Sequence, residues 1–139
     1  MILRPHQLEA VARTLPALRD GRRVCLVAPT GSGKTVMGAE IVRRLSVPTR
    51  WTAHRRELIA QAKAKLPATC GVFSVQERKT HRAELLVVDE AHHSCASSYR
   101  RHLDAHTGPV LGLTATPFRL DGRGLGEVFS ELIVATTAA

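Results

Sequence analysis

The chain has 139 residues, about the length of one domain, and 44% of them are apolar, so it can bury a core of its own. No apolar run approaches the ~20 residues of a membrane-spanning helix, and no apolar segment follows residues 1–5 as in a secretory signal. Three cysteines without a CxxC pair (Cys25, Cys70 and Cys95) argue against a disulfide framework and favour a reducing compartment, the cytoplasm.

The charge is strongly positive. Twenty Lys and Arg residues against twelve Asp and Glu give a net charge of +8, and sixteen of the twenty are arginine. This balance favours an anionic partner, nucleic acid first and nucleotide second, although a base-composition bias of the gene would also enrich arginine. Aromatic residues make up only 4%, too few to build a stacking platform for single strands.

Short apolar runs alternate with amphipathic segments of helical period along the chain. Helices are predicted over residues 5–20, 34–45, 55–66 and 98–106, with a short one near Glu127, and strands over residues 24–28, 49–53, 72–75, 85–88, 110–113 and 132–135. In the first helix, Pro16 is expected to kink or shorten the helix and Gly21 to end it. The alternation predicts an α/β fold with a mainly parallel sheet, helices on both faces and ligands at the carboxyl ends of the strands.

A glycine-rich segment, APTGSGKT, joins the first predicted strand to the second predicted helix. It fits a phosphate-binding loop, because Gly31 and Gly33 let backbone N–H groups approach phosphate oxygens at a helix N-terminus. Lys34 would reach the β- and γ-phosphates, and the Thr35 hydroxyl would bind Mg²⁺. Ala28 stands where the strict pattern has glycine, a common relaxation. The alternative is a ligand-free glycine-rich turn. The predicted nucleotide contacts are Pro29, Thr30, Gly31, Ser32, Gly33, Lys34 and Thr35.

An acidic pair closes the predicted strand at residues 85–88. An aspartate in the position of Asp89 can hold Mg²⁺, and a glutamate in the position of Glu90 can polarise an attacking water. Alone, such a pair is often a helix N-cap. Together with the phosphate-binding loop, it predicts a site that hydrolyses ATP with Mg²⁺.

Further motifs occur in the order found in one family. Residues 89–92 read DEAH, residues 114–117 read TATP, Gln7 follows Arg4-Pro5-His6, and residues 56–58 and 74–76 read REL and SVQ. The chain resembles superfamily 2 DEAD/DEAH-box (DExH) helicases. Residues 114–122, TATPFRLDG, are similar in particular to the type III restriction-subunit and RadD-like group.

The resemblance implies a three-layer, RecA-like P-loop NTPase domain and assigns roles to several residues. Gln7 would hydrogen-bond the adenine, Lys34, Asp89 and Glu90 would be catalytic, and Thr35 and Asp89 would hold Mg²⁺. It implies coupling of the two ligand sites by His92, Thr114 and Thr116, and backbone contacts to nucleic acid by Arg56 and Ser74. The loops at the carboxyl edge add Arg55 and Arg119 to the expected nucleic-acid contacts.

The resemblance covers the whole chain but only the first of the family's two RecA-like domains. We therefore expect residues 1–139 to form that single domain, with the second domain, which supplies the arginine finger, absent from it and contributed in cis or in trans. Self-association that places Arg100, Arg101 or Arg123 in trans is an alternative source of that charge.

The predicted function is the motor domain of an ATP-dependent helicase or translocase acting on DNA rather than RNA. The alternatives are a non-catalytic module that binds ATP or nucleic acid and acts through a partner, and another P-loop class. His102 and His106 have the spacing of one helix face, but a zinc site, which needs three or four converging ligands, is not expected.

Overall fold

Three helices and six strands follow one another in the part of the chain that the computed structural model describes, residues 3–28, 31–53, 66–67, 70–74, 83–89, 97–114 and 129–135. The helices are α1 (Pro5–Arg19), α2 (Gly31–Leu45) and α3 (Ser97–Ala105). The strands are β1 (Arg23–Val27), β2 (Thr49–Ala53), β3 (Cys70–Ser74), β4 (Leu85–Asp89), β5 (Val110–Thr114) and β6 (Glu131–Val134).

The strands form one sheet in the order β3-β2-β4-β5-β1-β6, and every neighbouring pair is parallel. Parallel strands of one sheet need crossover connections. In the described residues α3 connects the neighbouring strands β4 and β5, and α2 connects β1 to β2, two strands that β4 and β5 separate in the sheet. The predicted α/β fold with a parallel sheet is therefore confirmed. At the carboxyl edge, Val27 of β1 lies opposite Thr114 of β5, and Asp89 of β4 lies opposite Leu113 of β5.

One face of the sheet packs against α1 and α2. Alternate strand residues such as Leu26, Val87 and Leu113 are fully buried there, together with Val11 of α1 and Ile41 of α2. Successive strand residues point to opposite faces, so the remaining positions build a second core. That core joins Cys25, Val27, Leu86, Val88 and Val110 to Leu103 of α3 and to Phe129. Helices therefore lie on both faces of the sheet, as predicted.

The end of α1 is determined by Gly21. Its φ of 80° lies in the left-handed region, which glycine adopts without the steric cost of a Cβ. The Gly21 N–H donates to the Leu18 carbonyl and the Arg22 N–H donates to the Ala17 carbonyl, the bond pattern of a Schellman motif. Pro16 lies inside the helix and does not end it, because α1 continues to Arg19.

The predicted strand positions are confirmed with ends that differ by one or two residues. The larger difference is at α2, which begins at Gly31, three residues before the predicted start. The predicted α3 ends one residue late, because the His106 N–H bonds the Leu103 carbonyl in a tighter turn. The predicted helix over residues 55–66 (apart from Leu66) and the short one near Glu127 lie outside the described residues. Within the described ranges, no helix is long and apolar enough to cross a membrane.

Candidate nucleotide-binding site

The start of α2 lies at the carboxyl edge of the sheet, directly after β1. Because the helix begins at Gly31, the N–H groups of Gly31, Ser32 and Gly33 belong to its first turn, where no carbonyl one turn earlier in the helix can accept them. The helix dipole adds partial positive charge at the same end. The backbone here therefore offers donors and a favourable field to an anion such as phosphate.

The Lys34 ammonium contacts the Asp89 carboxylate at the same edge. Its Nζ lies 3.3 Å from Oδ1 of Asp89, and the two side chains are only 5% and 2% exposed. Asp89 is the last residue of β4, on the face shared with Leu85 and Val87 that packs against α2. The contact passes over β5, which separates β4 from β1 in the sheet. The structure thus brings together the lysine and the aspartate that the sequence predicts in one ATP site.

Burial makes this pair energetically demanding. Taking two charges out of water costs on the order of several kcal/mol per ion. This cost is compensated only when each charge has close partners of opposite sign. Hydrophobic residues of similar volume would usually serve stability as well. A buried Lys–Asp pair at the carboxyl edge of a parallel sheet is therefore better explained by a ligand that carries both kinds of charge than by the needs of the fold.

Thr35 and Thr114 are two further described residues at this edge, close in the fold to Lys34 and Asp89. Thr35 follows Lys34 in α2 and is half-buried. Thr114 ends β5, is fully buried, and its carbonyl accepts the Ala28 N–H at 2.9 Å. That bond ties the segment after β1 to the segment after β5. The threonine predicted to couple the two ligand sites is thus joined through its backbone to the start of the glycine-rich segment.

Gln7 has a local role at the start of α1. The Arg4 N–H donates to Oε1 of Gln7 at 2.8 Å, so the side chain closes the helix N-terminus and satisfies a backbone donor. The bond fixes the amide, and Nε2 is then the group of this side chain that can donate to a base. Adenine recognition by Gln7 stays a prediction.

Ser74 lies at the same carboxyl edge, to one side of the Lys34–Asp89 pair. It ends β3, the outermost strand, which is separated from β4 by one strand and from β1 by three. At about 4.8 Å per strand, the offset is roughly 10 Å from β4, which carries Asp89, and roughly 19 Å from β1. This position along the edge is compatible with a nucleic-acid contact separate from the nucleotide site. Other predicted site residues lie outside the described residues: Pro29, Thr30, Arg55, Arg56, Glu90, His92, Thr116 and Arg119.

The remaining ionisable side chains are used differently. Nε2 of His106 is 2.9 Å from the Pro109 carbonyl oxygen, and no group of three or more His, Cys, Asp or Glu residues is gathered as metal ligands in the described segments. Burial raises the pKa of the Cys25 and Cys70 thiols to about 12, so neither supplies a thiolate nucleophile at neutral pH.

Sequence analysis did not single out Gly38, which lies on the sheet-facing side of α2. A Cβ built on this residue would lie 2.7 Å from Cη2 of Trp51 and 2.9 Å from Cδ1 of Leu113. The available signal was an isolated glycine inside a helical pattern, four residues after the phosphate-loop lysine. Such a glycine lowers helix stability, and here the close approach of Trp51 and Leu113 gives it a packing reason.

Comparison with protein families gives a match over most of the chain. The family model of the type III restriction enzyme, res subunit, matches residues 1–71 and 72–119. This is the group to which the helicase motifs had pointed.

Individual relatives are longer proteins. IRC3 of Saccharomyces cerevisiae, whose name describes an ATP-dependent helicase, is 31% identical over 95% of this chain and 26% of that protein. The DNA 3'-5' translocase XPB2 of Sulfurisphaera tokodaii is 30% identical over 87% of this chain and 32% of that protein. The chain thus spans about a quarter to a third of the length of these relatives.

Solved structures agree on the fold. The SWI2/SNF2 ATPase core of Sulfolobus solfataricus in complex with dsDNA superposes with a TM-score of 0.77 at 14% identity, covering 94% of this chain and 35% of that one. At this identity the likeness concerns the fold, and it confirms the predicted RecA-like architecture.

Proposed function

This chain belongs to the type III restriction enzyme res subunit family, and we propose that residues 1–139 form the ATP-binding motor domain of an ATP-dependent DNA helicase or translocase. The single observation that carries the proposal is the buried Lys34–Asp89 pair at the carboxyl edge of the sheet. A lysine at the start of a helix and an aspartate at the end of a strand are the two charges that a Mg²⁺-bound triphosphate requires.

In this proposal the two charges exchange partners when Mg²⁺–ATP binds. Lys34 would turn from Asp89 to the β- and γ-phosphates, and Asp89, with the Thr35 hydroxyl, would hold Mg²⁺. Gly31, Ser32 and Gly33 donate their N–H groups to the phosphates. Glu90 orients the attacking water. Without ligand, Lys34 and Asp89 neutralise each other. With ligand bound, the phosphates would neutralise Lys34 and Mg²⁺ would neutralise Asp89.

DNA and a second RecA-like domain are the proposed partners. The net charge of +8 supports an electrostatic contact with phosphates, and XPB2 and the SWI2/SNF2 core are described as a DNA translocase and as an ATPase in complex with dsDNA. Arg55, Arg56, Ser74 and Arg119 are the proposed contacts, with His92, Thr114 and Thr116 relaying between the sites. The length of the relatives supports a second domain that completes the ATP site.

The proposed setting is the cytoplasm. Cys25 and Cys70 are free thiols buried in the two cores, which suits a reducing compartment.

Binding of a fluorescent ATP analogue in the presence of Mg²⁺ tests the proposal. Lys34→Ala should weaken binding by about 10- to 100-fold, since a hydrogen bond to a charged group contributes about 1.5–3 kcal/mol. Arg44→Ala is the matched control, because it removes an exposed cation from the same helix.

A folding defect is excluded by a second variant. Lys34→Ala leaves the Asp89 carboxylate buried without this cation, whereas Lys34→Ala combined with Asp89→Asn removes both charges. If the double variant is folded by circular dichroism and binds the analogue as tightly as the unaltered chain, the site is misassigned.

Measuring ATP turnover distinguishes the proposed motor domain from the alternative, a module that binds ATP or nucleic acid without catalysis. A motor domain supplied with its second domain should hydrolyse ATP faster when DNA is added. A module that only binds would show no such stimulation.

A further inference from the structure

The helix that carries the phosphate-loop lysine lies unusually close to the sheet at one point. That point is Gly38, in the third turn of α2, where a Cβ would stand 2.7 Å from Cη2 and 3.1 Å from Cζ3 of Trp51, and 2.9 Å from Cδ1 of Leu113. Ordinary contacts of a Cβ lie at 3.4–4 Å, so the smallest side chain overlaps both neighbours. The absence of a side chain therefore determines how closely α2 approaches the sheet.

The two neighbours are held in place. Trp51 and Leu113 are both fully buried. They belong to β2 and β5, and each of these strands has hydrogen-bonded strands on both sides. Protein interiors are close-packed, so an indole ring in this position has little space to retreat. A larger residue at position 38 would therefore move the helix as well as the ring.

Displacement of α2 at Gly38 is transmitted to Lys34. The two residues are four positions apart, so they lie on the same face of the helix and about 6 Å apart along its axis. Gly38 and Lys34 also face neighbouring residues of the sheet, because Leu113, which Gly38 contacts, is the register partner of Asp89. The same β5 residue thus limits the height of the helix and lies beside the aspartate that Lys34 contacts at 3.3 Å.

We propose that Gly38 is a positioning residue of the nucleotide site. Its lack of a side chain lets α2 lie on Trp51 and Leu113 at the height that brings the Lys34 ammonium and the N–H groups of the first turn to the phosphates. Gly38 contacts no ligand itself. The inference rests on the proposed ATP site and adds a determinant that the helicase motifs do not contain.

The decisive variant is Gly38→Ala, tested in the full chain with the fluorescent ATP analogue and Mg²⁺. Relief of the overlap from 2.7 to 3.4 Å requires a shift of about 0.7 Å. Such a shift lengthens the charge-assisted hydrogen bond from Lys34 to the phosphates, and because loss of a bond of this kind costs about 10- to 100-fold, we expect affinity to fall by up to that factor. Gly38→Ala also favours the helical conformation intrinsically, which would act against a loss through helix melting.

Two further variants separate positioning from stability. Gly21→Ala strains the backbone at a φ of 80° at the opposite edge of the sheet, where no atom lies within 4 Å of the added Cβ, and should lower the melting temperature without changing nucleotide affinity. Trp51→Phe removes the ring atoms nearest to position 38 and should restore part of the affinity when combined with Gly38→Ala, because the overlap with Leu113 remains.

Three outcomes decide the matter. Unchanged affinity in folded Gly38→Ala overturns the inference, as does an equal loss of affinity in Gly21→Ala at a matched melting temperature. Restoration by Trp51→Phe supports it. Failure of the unaltered chain to bind the analogue contradicts the proposed function instead, and is thereby distinguished from failure of the positioning role.

Discussion

His106 carries a pH dependence of stability. Burial lowers the pKa of this imidazole below its ordinary value of 6.5, and the nearby Arg23 charge lowers it further, while hydrogen bonds with the Pro109 and Glu84 backbone oppose the shift. The unfolded chain therefore takes up this proton at a higher pH than the folded chain does. Stability associated with His106 is fully present above pH 6.5 and decreases as the pH falls below that value towards the folded-state pKa.

We expect the free energy of unfolding in urea to decrease between pH 7 and pH 5.5, and the His106→Gln variant to show a smaller decrease over the same range. Glutamine can still donate to the Pro109 carbonyl, so the comparison isolates the proton. Parallel pH profiles for the two proteins would refute the assignment.

At this scale the sequence identified the charges of the site but not their surroundings. Lys34 and Asp89 could be predicted because their motifs are local: each lies a fixed number of residues from a strand end or a glycine. Gly38 could not be given a role, because its constraint comes from Trp51 and Leu113, which lie on other elements. The cap formed by Gln7 was also missed, although glutamine three residues after the N-cap is a known local pattern.

Among the elements, Arg23 joins α3 to the start of β1. Nη2 of Arg23, at the start of β1, donates to the carbonyls of Leu103 and His106 at 3.1 and 3.0 Å. These carbonyls lie at and just beyond the C-terminus of α3, where helix carbonyls lack partners and a positive charge is favoured. Since the segment between Asp89 and Ser97 carries the DEAH residues, α3 forms one of its two fixed ends.

Arg23→Ala should therefore loosen α3. Hydrogen bonds from a charged donor contribute about 1.5–3 kcal/mol, and we expect a loss of this size in urea unfolding, with faster amide exchange in α3. Arg22→Ala is the matched control: Arg22 is adjacent and exposed, and its ion pair with Glu131 at the surface, screened by water, should contribute much less to stability. Equal losses in the two variants would contradict the role given to Arg23.

Helix and strand positions were predictable because the periodicity of apolar residues and the turn-forming residues can be read within each short segment of the sequence. The start of α2 was misplaced by three residues, because glycine and serine have weak helical preference and only the context after β1 draws them into the helix. The Arg23 attachment had no sequence signal, since it joins residues 80 and 83 positions apart.

For the whole molecule, we predict that the 139-residue chain alone binds ATP but hydrolyses it slowly and unwinds no duplex. An arginine finger contributes about 10³–10⁵ to the rate of phosphoryl transfer, and in the proposed function it comes from a second RecA-like domain. In that proposal Glu90 would orient water but would not neutralise charge on the γ-phosphoryl oxygens. The measurement is ATPase and unwinding at rising protein concentration, with and without the second domain of a relative.

Addition of the second domain should raise turnover. Turnover that climbs steeply with the concentration of the chain alone would instead indicate an arginine supplied in trans, with Arg100, Arg101 and Arg123 as the candidates. Unwinding by the dilute monomer would refute the prediction.

At the same scale, the fold class could be read from the alternation of elements, whereas the strand order could not. The position of β1 between β5 and β6 depends on contacts between distant segments, which no local pattern records.

The strand order also affects how the protein folds during its synthesis on the ribosome. The sheet partners of β1 are β5 and β6, the last two strands in the described chain, so β1 has no neighbour to pair with until roughly 90 further residues have been made. At about 5–20 residues per second, synthesis of that length takes roughly 4.5–18 s. During this interval the apolar strand β1, which precedes the glycine-rich segment, has no sheet partner to pair with. The nucleotide site therefore assembles only after β5 and β6 have been made, and nucleotide can stabilise the domain from then on but not before.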